Sequence, residues 1–172
     1  MRLQAFLTAV TAAVSLAGCA IPVAAPSPAA SPPRVAGAYT TAEARIFDLI
    51  NAERQRHGLP ALVFNDKLDQ MAKIQATNMA YFQKMAHTIP EARLPALKDR
   101  ATNVGYGYRE IAENVALGYP SAESVVRGWM NSTGHRRNIL NAGVVETGIG
   151  IARSSAGGIY YCQVFGRQLS SF

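Results

Sequence analysis

The sequence predicts an α+β domain in which helices flank a small, mainly antiparallel sheet. Three observations carry this. Apolar residues recur at helical spacing in three segments between residues 41 and 135. Two β-rich runs follow near the carboxyl end, and a Gly-rich stretch between them reads as a hairpin loop.

In the first segment Thr40 or Thr41 can cap a helix that buries Ile46, Leu49 and Ile50, closing at Gly58 after His57. His57 there meets the carbonyl end of the helix, a favourable place for a cation, and is assigned no site role. Asn65 or Asp66 starts a second helix with Leu68, Met71, Ala72, Gln75, Met79 and Phe82 on one face. It is expected to run to about His87, short of Pro90. Residues 89–109 hold two prolines, two glycines and mixed charge, a loop with room for a short helix or strand. Ser121 can cap a third helix carrying Val125, Val126 and Trp129, which Gly134 should interrupt just before His135. Val144 to Ala152 and Ile159 to Phe165 read as strands joined through Arg153-Ser154-Ser155-Ala156-Gly157-Gly158.

The amino terminus points to export. Arg2 supplies a positive n-region, and Ala5 to Leu16 is an apolar run too short for an ordinary membrane span. Leu16-Ala17-Gly18-Cys19 resembles the bacterial lipobox, in which the cysteine becomes the first residue and carries acyl chains. The plainer alternative is a secretory signal with an incidental cysteine. Several acyl chains on one residue anchor stably where one chain binds only marginally. The expected organisation is a leader at 1–18, a lipidated Cys19 with a Pro/Ala-rich tether to residue 38, and one domain over 39–172. The tether cannot bury enough apolar surface to fold, and in polyproline conformation it spans roughly 50 Å. The expected location is extracytoplasmic and membrane-anchored. With two membranes it would be the outer one, since Ala20 replaces the Asp that favours inner-membrane retention.

Removing Arg2 with the leader leaves 16 basic against 11 acidic side chains, a net charge of +5. The arginines are spread along the chain, and no nucleic-acid motif is present, so no nucleic-acid partner is expected. The charge suits a solvated surface with mild affinity for anionic headgroups or wall polymers. With Cys19 consumed by lipid, Cys162 stands alone in a strand-like run, so no disulfide is expected. Its assigned role is a small buried hydrophobe.

Four polar residues are the candidate site: His87, Glu113, His135 and Glu146. Imidazoles and carboxylates of this kind can transfer protons or bind a divalent cation, zinc being the candidate cofactor with His87 and His135 as its possible ligands. Each has a structural alternative. The histidines could be hydrogen-bonded core groups, and Glu113 could accept backbone N–H groups in a loop before Val115. Asn114 reads as an anchor of local backbone, and Trp129 as core with its indole N–H paired. Ser132 and Thr133 beside His135 raise a serine hydrolase, but no Gly-x-Ser-x-Gly elbow exists, and no His-Glu-x-x-His element marks a zinc protease.

The ordered set of motifs resembles the CAP superfamily, also called SCP-like, in its compact bacterial branch. The matching text is Asn51-Ala52-Glu53-Arg54, Leu59-Pro60-Ala61-Leu62, His87-Thr88, Glu113-Asn114-Val115-Ala116, Trp129-Met130-Asn131-Ser132 with Gly134-His135-Arg136, Gly148-Ile149-Gly150, and Tyr161-Cys162-Gln163-Val164-Phe165-Gly166. Together they span residues 42 to 166. The resemblance implies a three-layer α-β-α sandwich and a cleft holding His87, Glu113 and His135. Long members carry a second glutamate three residues after the helix tryptophan, where this chain has Ser132. Glu146 is the candidate replacement carboxylate. The residues favour a binding module for a lipid, wall fragment or protein. The alternatives are a metal-assisted or His/Glu-based hydrolase of peptide or wall material, and an envelope protein whose cleft is vestigial.

Overall fold

The computed structural model describes residues 40–169, so the expected leader, Cys19 and the tether lie outside the described residues. Helix α1 (Thr41–Arg56) opens on a reciprocal cap: Glu43 N–H donates to Thr40 Oγ1, and Thr40 N–H donates to Glu43 Oε2. Ile46, Phe47 and Ile50 turn inward, and the helix closes at His57 before Gly58, whose φ of 72° suits glycine. Two polar residues of α1 are also buried. Asn51 brackets Leu62 by accepting from its N–H and donating to its carbonyl. Arg54, 1% exposed, donates to the carbonyls of Pro60, Ile139, Asn141 and Val144. It ties α1 to the loops that enter the sheet.

Strand β1 (Val63–Phe64) has two residues, too few for a periodicity to show. Asn65 then caps α2 (Asp66–Phe82) by accepting from Lys67 and Leu68 N–H. The expected apolar stripe is present, but α2 stops five residues before His87. Gln83 adopts a left-handed conformation, φ 51°, and its N–H and that of Lys84 both bond to Met79 O. No glycine announces this stop, which is why periodicity alone overruns it. His87 consequently lies on a loop.

Residues 89–109 resolve into α3 (Leu97–Asn103) and the start of β2 (Tyr108–Leu117). Glu113, whose structural alternative was to brace a loop before Val115, is mid-strand. The third expected helix is two: α4 (Ala122–Asn131) and α5 (Thr133–Ile139). The break falls at Ser132, whose ψ of 121° is extended, and Gly134 sits inside α5. Strands β3 (Glu146–Arg153) and β4 (Ile159–Gln168) form the expected hairpin.

The sheet order is β1-β3-β4-β2, with β1 parallel to β3 and the other pairs antiparallel. Alternation along the strands sorts the core into two layers. Ile149, Tyr161 and Phe165 pack with α1, α4 and α5, while Val115, Cys162 and Val164 pack with α2. This is the three-layer arrangement. On the second face Gly148 and Gly150 let α2 lie directly on β3; a Cβ on either would come within 2.0–2.5 Å of α2 backbone. That close contact brings the residues of α2 down to the row where Glu113 stands.

Candidate functional site

Glu113 points from β2 toward the α2 layer, with its side chain 2% exposed. A carboxylate so buried needs partners for both oxygens. Arg100 Nη2, from α3, donates to Oε2 at 2.6 Å, and the Arg100 side chain is fully buried. Its Nη1 donates to Gln75 Oε1 at 2.6 Å and more weakly to the carbonyls of Leu94 and Pro95. Gln75 in turn donates from Nε2 to Ala86 O at 2.6 Å, which fixes the chain one residue before His87. His87 Nδ1 then meets Glu113 Oε1 at 2.9 Å. Facing a carboxylate, this nitrogen carries the proton. The His87 side chain is 59% exposed, leaving its other face to solvent.

His135 arrives from the opposite side of β2, which is the edge strand. Asn138, one turn further along α5, donates to Asn114 Oδ1 at 2.9 Å and to Glu113 O at 3.3 Å. Asn114 donates to His135 O at 3.2 Å. These amides stitch α5 to β2. Asn114, read from sequence as a local anchor, therefore spans two elements. His135 is half-buried, and burial lowers its pKa from 6.5, with the charge of His87 adding to the effect. For His87 the hydrogen bond to Glu113 raises the pKa above 6.5, against an opposing effect of burial. The site thus shifts the two imidazoles in opposite directions, His87 toward its protonated form and His135 toward its neutral one.

Glu146 stands apart. It shares the sheet face of Glu113 but lies two strands away and one row along, roughly 12 Å by sheet spacings. Asn65 Nδ2 and Gln168 Nε2 donate to its Oε1, and Tyr106 OH donates to Oε2 at 2.7 Å. Burial first, then that bond, pushes the Tyr106 phenol well up. The structure therefore brings together His87, Glu113 and His135 and leaves Glu146 in its own network, so it does not replace the carboxylate absent at Ser132.

Among the described residues no group of three or more His, Cys, Asp and Glu converges as a metal cage. Glu113 is occupied by a guanidinium and by His87 Nδ1, so a cation at His87 would meet its solvent-facing Nε2 with Glu113 behind the ring. The nearby thiol is not placed to react. Cys162 is fully buried, its thiol 3.4 Å from Glu113 Oε2, and burial pushes its pKa well up. What remains is two imidazoles on a braced edge, one of them held by a buried carboxylate.

Sequence reasoning missed Arg100, Gln75 and Asn138. The one legible sign was Gln75, a polar residue within the apolar stripe of α2. A buried arginine in a segment without periodicity gives none.

The two histidines should set opposite limbs of a pH–stability profile. His87, with a raised pKa, contributes stability that is full below 6.5 and is lost as pH rises through its folded value. His135, with a lowered pKa, contributes stability present above 6.5 that is lost as pH falls toward its folded value. Thermal unfolding from pH 5 to 8 should thus peak near 6.5. His87→Ala should flatten the alkaline limb and His135→Ala the acid limb; a wild-type profile unchanged by either would contradict these assignments.

A family model described as the cysteine-rich secretory protein family, CAP, matches residues 47–165. YkwD, an uncharacterized protein of Bacillus subtilis, is 35% identical over 137 residues, which is 80% of this chain and 51% of the relative. YlbC, an uncharacterized membrane protein of the same bacterium, is 32% identical over 126 residues, 73% of this chain and 34% of the relative. The chain thus spans about half the length of one curated relative and a third of the other. The crystal structure of an extracellular SCP-domain protein from Bacillus anthracis matches with a TM-score of 0.67 and 31% identity, over 73% of this chain and 40% of that one. Among the described residues no helix is long and apolar enough to cross a membrane. By the family match, the shared motifs and the three-layer fold, the chain belongs to the CAP, or cysteine-rich secretory protein, family.

Proposed function

We propose that this chain is a cell-envelope lipoprotein, held by acyl chains on Cys19, whose CAP domain binds a lipid, wall fragment or protein partner at the His87–Glu113–His135 cleft. The observation that carries this reading is the condition of Glu113. A carboxylate fixed between Arg100 and His87 is a poor general base, because both oxygens are already occupied. With the nearby thiol buried, the cleft lacks an activated nucleophile. Glu113 favours the protonated form of His87, whose exposed side is then suited to donate to an anionic or carbonyl group of a ligand. The extracellular and membrane relatives support an envelope setting.

Two experiments test the reading. His135→Ala and His87→Ala should weaken retention of ligands recovered with the protein from its native envelope, with no turnover to lose. Wild type and variants are compared on peptide, ester and wall-fragment substrates, with thermal unfolding as the folding control. A reproducible turnover that disappears in an equally stable variant would establish the hydrolase instead, since removing an acid–base group typically costs ~10²–10⁴-fold in rate. Separately, Cys19→Ser should move the protein from the detergent to the aqueous phase on partitioning. Equal partitioning of both forms would refute the lipid anchor.

A further inference from the structure

Of the seven large apolar side chains exposed among the described residues, four stand together at one end of the sheet. Val63, Val145 and Leu169, which are 53%, 40% and 62% exposed, line an open depression of about 460 Å³ with Arg109, Arg167 and Glu146. Tyr108, 36% exposed, adjoins Leu169 in a second hollow. The strand register explains the gathering. Strand β1 begins at Val63, opposite Glu146, where β3 begins, and β4 ends at Gln168, opposite Tyr108, where β2 begins. All four strands thus meet solvent along one row. Single exposed apolar residues are ordinary, but a group contiguous across four strands marks an interaction surface.

Two features choose the partner. The backbone of this end is already paired: Val63 N–H donates to Val145 O, Val145 N–H to Gly166 O and Leu169 N–H to Gly107 O. These groups cannot take an added strand of a peptide. Charge is the second feature. The exposed Arg109 side chain has no hydrogen-bond or ion-pair partner among the described residues. Arg167 donates to the carbonyls of Gly143 and Ala142 without meeting a carboxylate. Glu146, the one carboxylate lining the depression, is held by Asn65, Gln168 and Tyr106, and the two guanidiniums outnumber it.

Exposed aliphatic groups, a tyrosine and arginines without carboxylates, all on one open face, match the boundary of a bilayer. There apolar side chains enter the acyl edge and arginines meet phosphates. We propose that this end of the sheet rests on the surface of an anionic phospholipid membrane. The face lies outside the His87–Glu113–His135 cleft, since Glu113 stands five residues along β2 from Tyr108, about 17 Å away. It does not depend on the acyl chains of Cys19, but it is compatible with them. Twenty residues lie between Cys19 and Thr40, a contour of about 65 Å against ~24 Å for α1. An anchored domain can therefore lay this end on its own membrane.

Vesicle sedimentation tests it on residues 19–172 carrying Cys19→Ser, so that no acyl chain contributes. This parent protein should bind vesicles of phosphatidylglycerol mixed with phosphatidylcholine, and bind phosphatidylcholine alone at least about tenfold more weakly. Leu169→Asp and Val63→Asp should each weaken binding to the anionic vesicles at least about tenfold, the size of one aliphatic side chain no longer buried. Arg109→Gln should weaken it about fivefold, the size of one basic charge at the surface. Leu117→Asp, at the other end of β2 and 40% exposed, should change nothing. Unchanged melting temperatures are the folding check. No binding by the parent protein, equal binding to both kinds of vesicle, or Leu169→Asp behaving as Leu117→Asp overturns the proposal. So does loss of binding in His87→Ala, which would place a lipid in the cleft and support that reading instead. A dimer in solution that Leu169→Asp splits, with vesicles left unbound, would assign the face to a second copy of this chain and overturn the membrane.

Discussion

Arg100→Met is expected to destabilise the domain by about 3–5 kcal/mol, because it leaves the Glu113 carboxylate buried without its guanidinium. Both side chains are at most 2% exposed, so solvent cannot stand in for the lost cation. The methionine fills much of the volume but strips Gln75 Oε1 of its donor, opening the link from α2 to Ala86. Only the half-exposed His87 would remain to neutralise Glu113. Its pKa should therefore climb further, since the charge of Arg100 now lowers it. Chemical denaturation measures the first effect and NMR titration of His87 the second. Adding Glu113→Gln to Arg100→Met should recover part of the loss, because an amide is far cheaper to bury than an unpaired carboxylate. A loss within about 0.5 kcal/mol, the range of ordinary surface substitutions, would show that the pair does not brace the site.

How far the sequence reveals this domain depends on the kind of signal each element carries. Helix starts were legible because Thr40, Asn65 and Ser121 cap through their own side chains. Helix ends were less so: Gln83 stops α2 by adopting a left-handed backbone with no glycine to mark it, and Ser132 divides α4 from α5 one residue beyond Asn131. The strand β2 escaped because Glu113 and Asn114 interrupt its apolar alternation, and they do so because they belong to the site. Local rules fail there because burial of a carboxylate is compensated from other elements, by Arg100 of α3 and His87 of the loop after α2. The family motifs named His87, Glu113 and His135 as one cleft; His87 bonds Glu113 of β2, and His135 stands on α5, which Asn138 ties to the same strand. Glu146 was attractive for its setting beside Gly148-Ile149-Gly150, yet those glycines serve the packing of α2 on β3. Pattern could not tell a carboxylate next to a motif from one inside the cleft.

That packing yields the second large effect. Glycine to alanine in a strand or helix ordinarily stabilises where the backbone permits, through the unfolded chain, by about 0.4–1 kcal/mol. Gly134 in α5 has open space around a would-be Cβ, so Gly134→Ala should show this gain. At Gly150 the sign should reverse. Its Cβ would lie 2.4 Å from Ala72 C and Lys73 N, backbone atoms of a helix that cannot yield singly. The helix α2 must lift as a body, loosening Leu68, Met71 and Ala76 from Cys162 and Val164. Overpacking of this kind costs about 1–3 kcal/mol, occasionally more, and Gly148→Ala faces the same helix at 2.0 Å from Asp69 N. The double substitution should therefore exceed either single one and approach loss of the fold. Because α2 also carries Gln75, its displacement should loosen Arg100 and let the His87 pKa in Gly150→Ala climb further above 6.5, since the charge of Arg100 lowers it. Melting curves for the Gly134, Gly148 and Gly150 variants, with a His87 titration, read both consequences. A Gly150→Ala protein as stable as its Gly134→Ala counterpart would mean that α2 rides off the sheet without loss, and that the glycines of β3 do not position the site.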